Sequence, residues 1–356
     1  MKNIYQKQKI NHLIIDSNYS IDGNKKVINL NKDGIVGSIA VLNKIRNISN
    51  LENIKRIDEY FSFLKNDLNI EKSVPYNKIL GRFKSKEYYN YLNSEISKSV
   101  SLISDYHTNI YSKRVSCYND LHPVLLDNVE LEIPKYNHCG ITGRTSIDSG
   151  YNFLTIKKEK RKTLKSKYKD EFLVEIDFKS CEPFFYLKSQ GFNVDGNDVY
   201  QWIMKEFDLK IEREKFKRGF LSLLYGAKNN TIKSISGMNV KDIEQIKERL
   251  KLSLLKETLE KDFNSCNLIF NYYGRPITSN NNLINYWIQS SAVDFCSLAF
   301  KNLIDQYHLK PCFFVHDSMT ITISKNEFNK IKNINHITDP ISNINIPVTI
   351  SKLSDN

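Results

Sequence analysis

The spacing of hydrophobic and polar positions changes along the chain, and each change marks an element. Residues 52–67 (ENIKRIDEYFSFLKND) set Ile54, Ile57, Tyr60, Phe61 and Leu64 at helical spacing, which predicts an amphipathic helix. Residues 86–113 read as a second, more polar helical stretch. A turn-rich patch, KYNHCGITGRTSIDSGYN, follows at 135–152. The pattern then shortens to a continuous apolar run, FLVEIDF at 172–178, as a buried strand would show. Helices are predicted at 198–204 and 212–225, the second with Phe216, Phe220, Leu223 and Leu224 on one face. One charged helical region covers 240–262. Another helix spans 283–305, with Ile288, Ala292, Phe295 and Leu298 inward. Residues 312–315 and 319–323 read as two strands of a hairpin whose tip is His316-Asp317-Ser318. A last strand is expected at 345–350.

Composition narrows the class. The 356 residues include 20 Tyr and 19 Phe, enough core material to exclude full disorder. No run reaches the roughly 20 apolar residues of a membrane span, and the start, MKNIYQKQKINH, has no apolar leader. Six scattered cysteines without a C-x-x-C fit reduced, buried thiols and argue against a zinc site. The expectation is a soluble cytoplasmic protein. The formal charge is +12, and residues 157–169 (KKEKRKTLKSKYK) hold eight Lys/Arg against one Glu. Such a run is either a solvated loop or a strip that contacts phosphates.

Two acids stand where an acid is costly. Asp177 ends an apolar strand, and Asp317 sits between two others. Each alone is an ordinary turn residue. Brought together they would repel, and a divalent cation would relieve that. Oxygen donors in small number suit Mg²⁺, with substrate phosphates completing its shell. Two such ions about 3.5–4 Å apart serve phosphoryl transfer. The helix at 212–226 supplies opposite charge, since Arg213 and Lys217 lie one turn apart, with Tyr225 beyond them. Lys217 is placed to stabilise charge on a leaving phosphate.

These residues, in this order, resemble family A DNA polymerases, the bacterial DNA polymerase I group. FLVEIDFKSCEP (172–183) resembles motif A, REKFKRGFLSLLYG (213–226) motif B and FFVHDS (313–318) motif C. TGRTS (142–146), YGRPI (273–277) and NYWIQSSAVD (285–294) resemble three further blocks of that family. The resemblance covers about half the chain and leaves the first 80 residues unmatched. It implies an α+β right-hand fold with an antiparallel-sheet palm, helical fingers and a helical thumb. It further implies the divisions 1–80 (role unassigned, completing the thumb or docking an accessory replication protein), 81–135 (thumb-like), 136–190 (palm with motif A), 191–264 (fingers) and 265–356 (palm with motif C).

The implied activity is primer extension on a template with dNTPs, without proofreading, in a bacterial, phage or plasmid setting. Asp177, Asp317 and the carbonyl of Phe178 would hold two Mg²⁺ ions, with Mn²⁺ as a substitute. Arg213 and Lys217 would grip the nucleotide phosphates, and Tyr225 would stand beside the new base pair. Glu182 would crowd the sugar 2′ position. Arg144, Asn285, Gln289 and His316 would touch the primer–template. Lys157, Lys158, Lys160, Arg161 and Lys162 would follow its backbone.

Three features lean toward single-subunit RNA polymerases, which are relatives of the group: Ser318 after the aspartate, Lys217-Arg218, and Asp198-Val199-Tyr200. An RNA polymerase or primase using rNTPs is the alternative. A catalytically silent nucleic-acid-binding protein is a second. Glu182 favours DNA synthesis, because a ribose hydroxyl would clash with it.

Overall fold

The computed structural model describes residues 106–353, apart from 139, 267, 268, 278 and 280, together with three two-residue strands at 12–13, 21–22 and 74–75. The helix expected at 52–67 and most of that at 86–113 lie outside the described residues. The chain forms two compact units, residues 1–111 with 256–283, and residues 112–255 with 284–356. Residues 256–283 thus group with the N-terminal unit.

The second unit is built on a five-stranded antiparallel sheet. Its strands are β1 (Glu171–Phe178), β2 (Lys310–Val315), β3 (Ser318–Ser324), β4 (His336–Thr338) and β5 (Asn345–Lys352), in the order β2-β3-β1-β5-β4. Its main helices are α1 (Cys181–Ser189), α2 (Val199–Glu206), α3 (Arg213–Leu224), α4 (Asn229–Ser236), α5 (Val240–Arg249), α6 (Leu283–Tyr307) and α7 (Lys325–Ile331).

Register makes the sheet two-faced. Residues directly opposite on neighbouring strands share a face, and successive residues alternate. Ile176 lies between Met319 and Ile350, and Val174 faces Ile321, so this face is apolar. Phe178 extends it, its ring 5.3 Å from Phe295 and 4.9 Å from Phe300 of α6. Helix α6 is buried on nearly every side, as an apolar helix under a sheet must be. On the other face Glu175 lies between Thr320 and Ser351, and Asp177 between Ser318 and Thr349. The far end of that polar face is closed by a small core in which Leu173, Leu164, Phe153 and Phe313 meet. Phe153 stacks on Phe313 at 4.1 Å. The Asp177 end is left open.

Strand β2 is an edge strand, and the free backbone groups of Phe314 within it are satisfied by a side chain. The Tyr136 hydroxyl donates to the Phe314 carbonyl and accepts from the Phe314 amide, both at 2.8 Å. Such pairing blunts an edge that would otherwise recruit another chain.

Two expectations change here. Residues 117–135, expected within a helical region, carry short strands at Val124–Leu126 and Val129–Glu130, and another begins at Lys135. The helix before them ends at Ser116. The charged region 240–262 is two helices, because Lys251 takes a left-handed φ of 61° and ends the first. Glycine matters at one helix crossing. A Cβ on Gly219 of α3 would stand 2.4 Å from the Ser236 Cβ of α4.

Candidate active site

Strand register brings the two aspartates together. Ser318 pairs with Asp177, so Asp317, the residue before β3, comes level with Phe178, the last residue of β1. The Phe178 amide donates to the Asp317 carbonyl at 3.2 Å, which fixes the tip of the hairpin against β1. The turn depends on His316 at a φ of 55°. His316 itself is exposed.

Burial and, next, the like charge of Asp317 push the Asp177 carboxyl up to about 7. Its side chain still meets solvent, so the desolvation comes from the concave walls of the site rather than from enclosure. Lys158 and Arg161 act in the opposite sense. Asp317 is also raised, first by burial; its own backbone N–H opposes the rise and Glu182 adds to it.

Glu182 opens α1, five residues after Asp177, and lines a pocket with Arg144, Thr145, His316 and Asp317. It is held from two sides. Arg144 Nη2 donates to Oε1 at 2.7 Å, and the Tyr225 hydroxyl donates to Oε2. Burial and the Glu182 charge push the Tyr225 phenol up, so it stays a donor. Gln289, buried on α6, hydrogen-bonds Tyr225 in turn. Asn285 lies one turn earlier and is half-buried. The floor of the pocket includes Cys181 and Cys296, whose sulfurs are 3.2 Å apart and whose thiols are pushed up by burial.

Arg213, Lys217 and Tyr225 come from one stretch of chain and meet different first partners. Tyr225 turns to Glu182, whereas the two cations gather on the ring of Tyr200, 5.4 Å and 5.9 Å from its centroid. Tyr200 is buried and hydrogen-bonded to Ser180, three residues after Asp177. Arg213 Nε also donates to Asp198 Oδ2 at 2.6 Å. Asp198 caps α2 through its other oxygen, accepting from the Tyr200 and Gln201 amides. Partial burial opposes its ionisation, but the Arg213 and amide hydrogen bonds overcome this and hold the carboxyl below its ordinary range.

The basic run 157–169 is neither a plain loop nor uniformly free. Lys158–Arg161 form one helical turn, and Lys165–Ser166 form a short strand. Lys157, Lys158, Lys160 and Lys162 are exposed. Arg161 pairs with Glu175 at 2.8 Å and is only 16% exposed, unlike those four lysines. Lys167 pairs with Glu130 at 2.7 Å. The run borders the site, as its pull on Asp177 shows.

The sequence reading missed the support beneath these groups. Arg114 and Asp294 form an ion pair at 3.2 Å with both side chains fully buried. Arg114 also donates to the Gly143 carbonyl, next to Arg144. The pairing joins residues 180 positions apart in the chain, and no local motif announces it. In the N-terminal unit Arg275, from the Y-G-R-P-I block, is buried and donates to the Tyr106 hydroxyl at 3.0 Å.

Among the described residues no cluster of three or more His, Cys, Asp or Glu is arranged to hold a metal ion. Among them also, no helix is long and apolar enough to cross a membrane. No family model and no curated protein matches the chain. Among solved structures, it is similar to the POL domain of Pol1 from M. smegmatis, in complex with DNA primer-template and dNTP. The two share 12% identity with a TM-score of 0.47, over 90% of this chain and 67% of that one.

Proposed function

We propose that the chain is a template-directed DNA polymerase that extends a primer 3′-OH with dNTPs. The observation that carries this reading is the apposition of Asp177 and Asp317 at the open end of a polar sheet face, with Glu182 beside them. A carboxylate whose proton affinity is raised by a second one beside it is suited to a cation. The donor set is hard oxygen, Asp177 and Asp317 with the Phe178 carbonyl at the strand end, and it fits Mg²⁺, with Mn²⁺ as a substitute. Two such ions would activate the primer hydroxyl and neutralise the departing oxygen.

The chain's own residues do the rest. Lys217 and Arg213 bind the triphosphate, and the Tyr200 ring beneath them sets their direction. Tyr225 abuts the new base pair, and its hydroxyl holds Glu182 against the sugar 2′ position. Arg144, Gln289, Asn285 and His316 face the primer–template. Minor-groove acceptors common to all base pairs suit donors such as Arg144. In the reaction the 3′-oxygen forms a bond to the α-phosphorus, the α–β bridge breaks and pyrophosphate leaves. The palm would comprise the sheet with α1 and α6, and the fingers α2 to α5. Residues 106–116 would contribute to the thumb.

Primer extension with dNTPs and rNTPs, on DNA and RNA templates, tests the reading. The expected result is extension with dNTPs, and relaxed sugar choice after Glu182→Ala. Preference for rNTPs would move the chain to the RNA polymerase alternative. Intact primer–template binding without synthesis under any of these conditions would leave a silent binding protein.

Charge in the basic run gives a separate expectation. Neutralising Lys157, Lys158, Lys160 and Lys162 together should weaken binding alike for all duplex sequences. It should lower the slope of log K against log salt by about 0.9 for each phosphate that the run neutralises. An unchanged slope in a salt titration returns the run to ordinary surface charge. Arg161 is omitted because its loss would leave Glu175 unpaired.

A further inference from the structure

Glu182 is engaged at both oxygens by residues from different parts of the chain. Tyr225, at the end of α3, takes Oε2; Arg144, just before the short strand Ser146–Ser149, takes Oε1. The carboxylate is 13% exposed, whereas the Arg144 side chain is 47% exposed. A guanidinium has five N–H donors in a fixed plane. The Glu182 hydrogen bond uses one Nη2 hydrogen of a side chain that is nearly half exposed. Arg144 can therefore hold Glu182 with one edge while another edge meets a duplex. Its position is fixed from behind, because Arg114 grips the carbonyl of the adjacent Gly143.

We propose that Arg144 is a specificity-determining residue for the nucleotide sugar, acting through Glu182. This rests on the reading of Glu182 as the group that meets the 2′ position. Tyr225 alone leaves the carboxylate free to swing about one oxygen. With Arg144 on the other oxygen the carboxylate plane is fixed, and the space at the sugar is closed to a hydroxyl. Engagement of the primer–template by Arg144 then bears directly on sugar choice, so duplex binding and a nucleotide check share one side chain.

The test is the ratio of kcat/KM for dNTP to that for rNTP, measured at saturating primer–template for the intact chain and for Arg144→Ala, Arg144→Lys and Glu182→Ala. A ratio removes any general loss of activity or of DNA affinity. Arg144→Ala is expected to lower the ratio by about tenfold, the scale of one charged hydrogen bond. Arg144→Lys should recover part of it, since an ammonium can still reach one carboxylate oxygen. Arg144→Ala with the unaltered ratio, beside a collapsed ratio in Glu182→Ala, overturns the role of Arg144 and leaves that of Glu182 intact. An unaltered ratio in Glu182→Ala overturns both. Arg144 is exposed, so folding is not at issue for its variants.

Discussion

Asp177→Asn and Asp317→Asn, made singly, should each reduce primer extension by at least about a thousandfold, which corresponds to about 4 kcal/mol in the barrier. Asparagine keeps the shape of the side chain and one carbonyl oxygen but removes the charge. Primer–template binding, measured by fluorescence anisotropy, should change by less than about threefold, because that affinity comes from cations elsewhere. Extension that survives either change would displace the metal-site assignment.

The same variants have a stability signature that does not depend on activity. The folded Asp177 carboxyl is raised to about 7, above its unfolded value. Between those two values the folded chain holds a proton that the unfolded chain has lost. Stability contributed at this position therefore falls as pH rises from about 4 to about 7, and is flat above. In the absence of divalent ions, wild type should lose thermal stability relative to Asp177→Asn across that window. Adding Mg²⁺ or Mn²⁺ at pH 8 should raise the wild-type Tm and leave the Asn variants unmoved. A wild-type Tm indifferent to both ions would argue against a cation between the aspartates.

Arg114→Met should be the most destabilising single change near the site. It removes the Arg114 partner of a fully buried Asp294 and a donor from the Gly143 carbonyl. Breaking one side of a buried pair costs about 3–5 kcal/mol, a large part of a typical domain's stability. Replacing both partners, Arg114→Met with Asp294→Leu, should recover most of that, since the buried pair is then removed as a whole. Urea unfolding midpoints for wild type and these two variants make the comparison. A double variant as unstable as Arg114→Met would mean that the Gly143 hydrogen bond, rather than the ion pair, carries the effect.

Much of the second unit was legible because its signals are local. The apolar run ending in Asp177, the hairpin around His316-Asp317 and the face of Phe216, Phe220, Leu223 and Leu224 all express backbone periodicity. The strand at 345–350 extends only to 352. What stayed hidden depends on partners distant in sequence. Nothing near Arg114 names Asp294, and nothing near Arg161 names Glu175. The alignment of Arg213 and Lys217 at i and i+4 was correct as helix geometry. Their destination was not legible, because Tyr200 and Asp198 come from outside that helix. Helix α7 escaped for a different reason. It is short, and its signal is the capping box of Ser324 and Glu327 rather than an apolar stripe.

The two-faced character of β1 has a consequence for quality control. Side chains alternate with a period of two, so a slip of one residue against β3 would send Asp177 and Glu175 into the hydrophobic layer on α6. Val174, Ile176 and Phe178 would be turned out to water by the same slip. A miswired site and an unstable sheet are thus the same error. Chains that fold in the wrong register would be cleared by proteolysis instead of persisting as intact, inactive copies that compete for the same ligands.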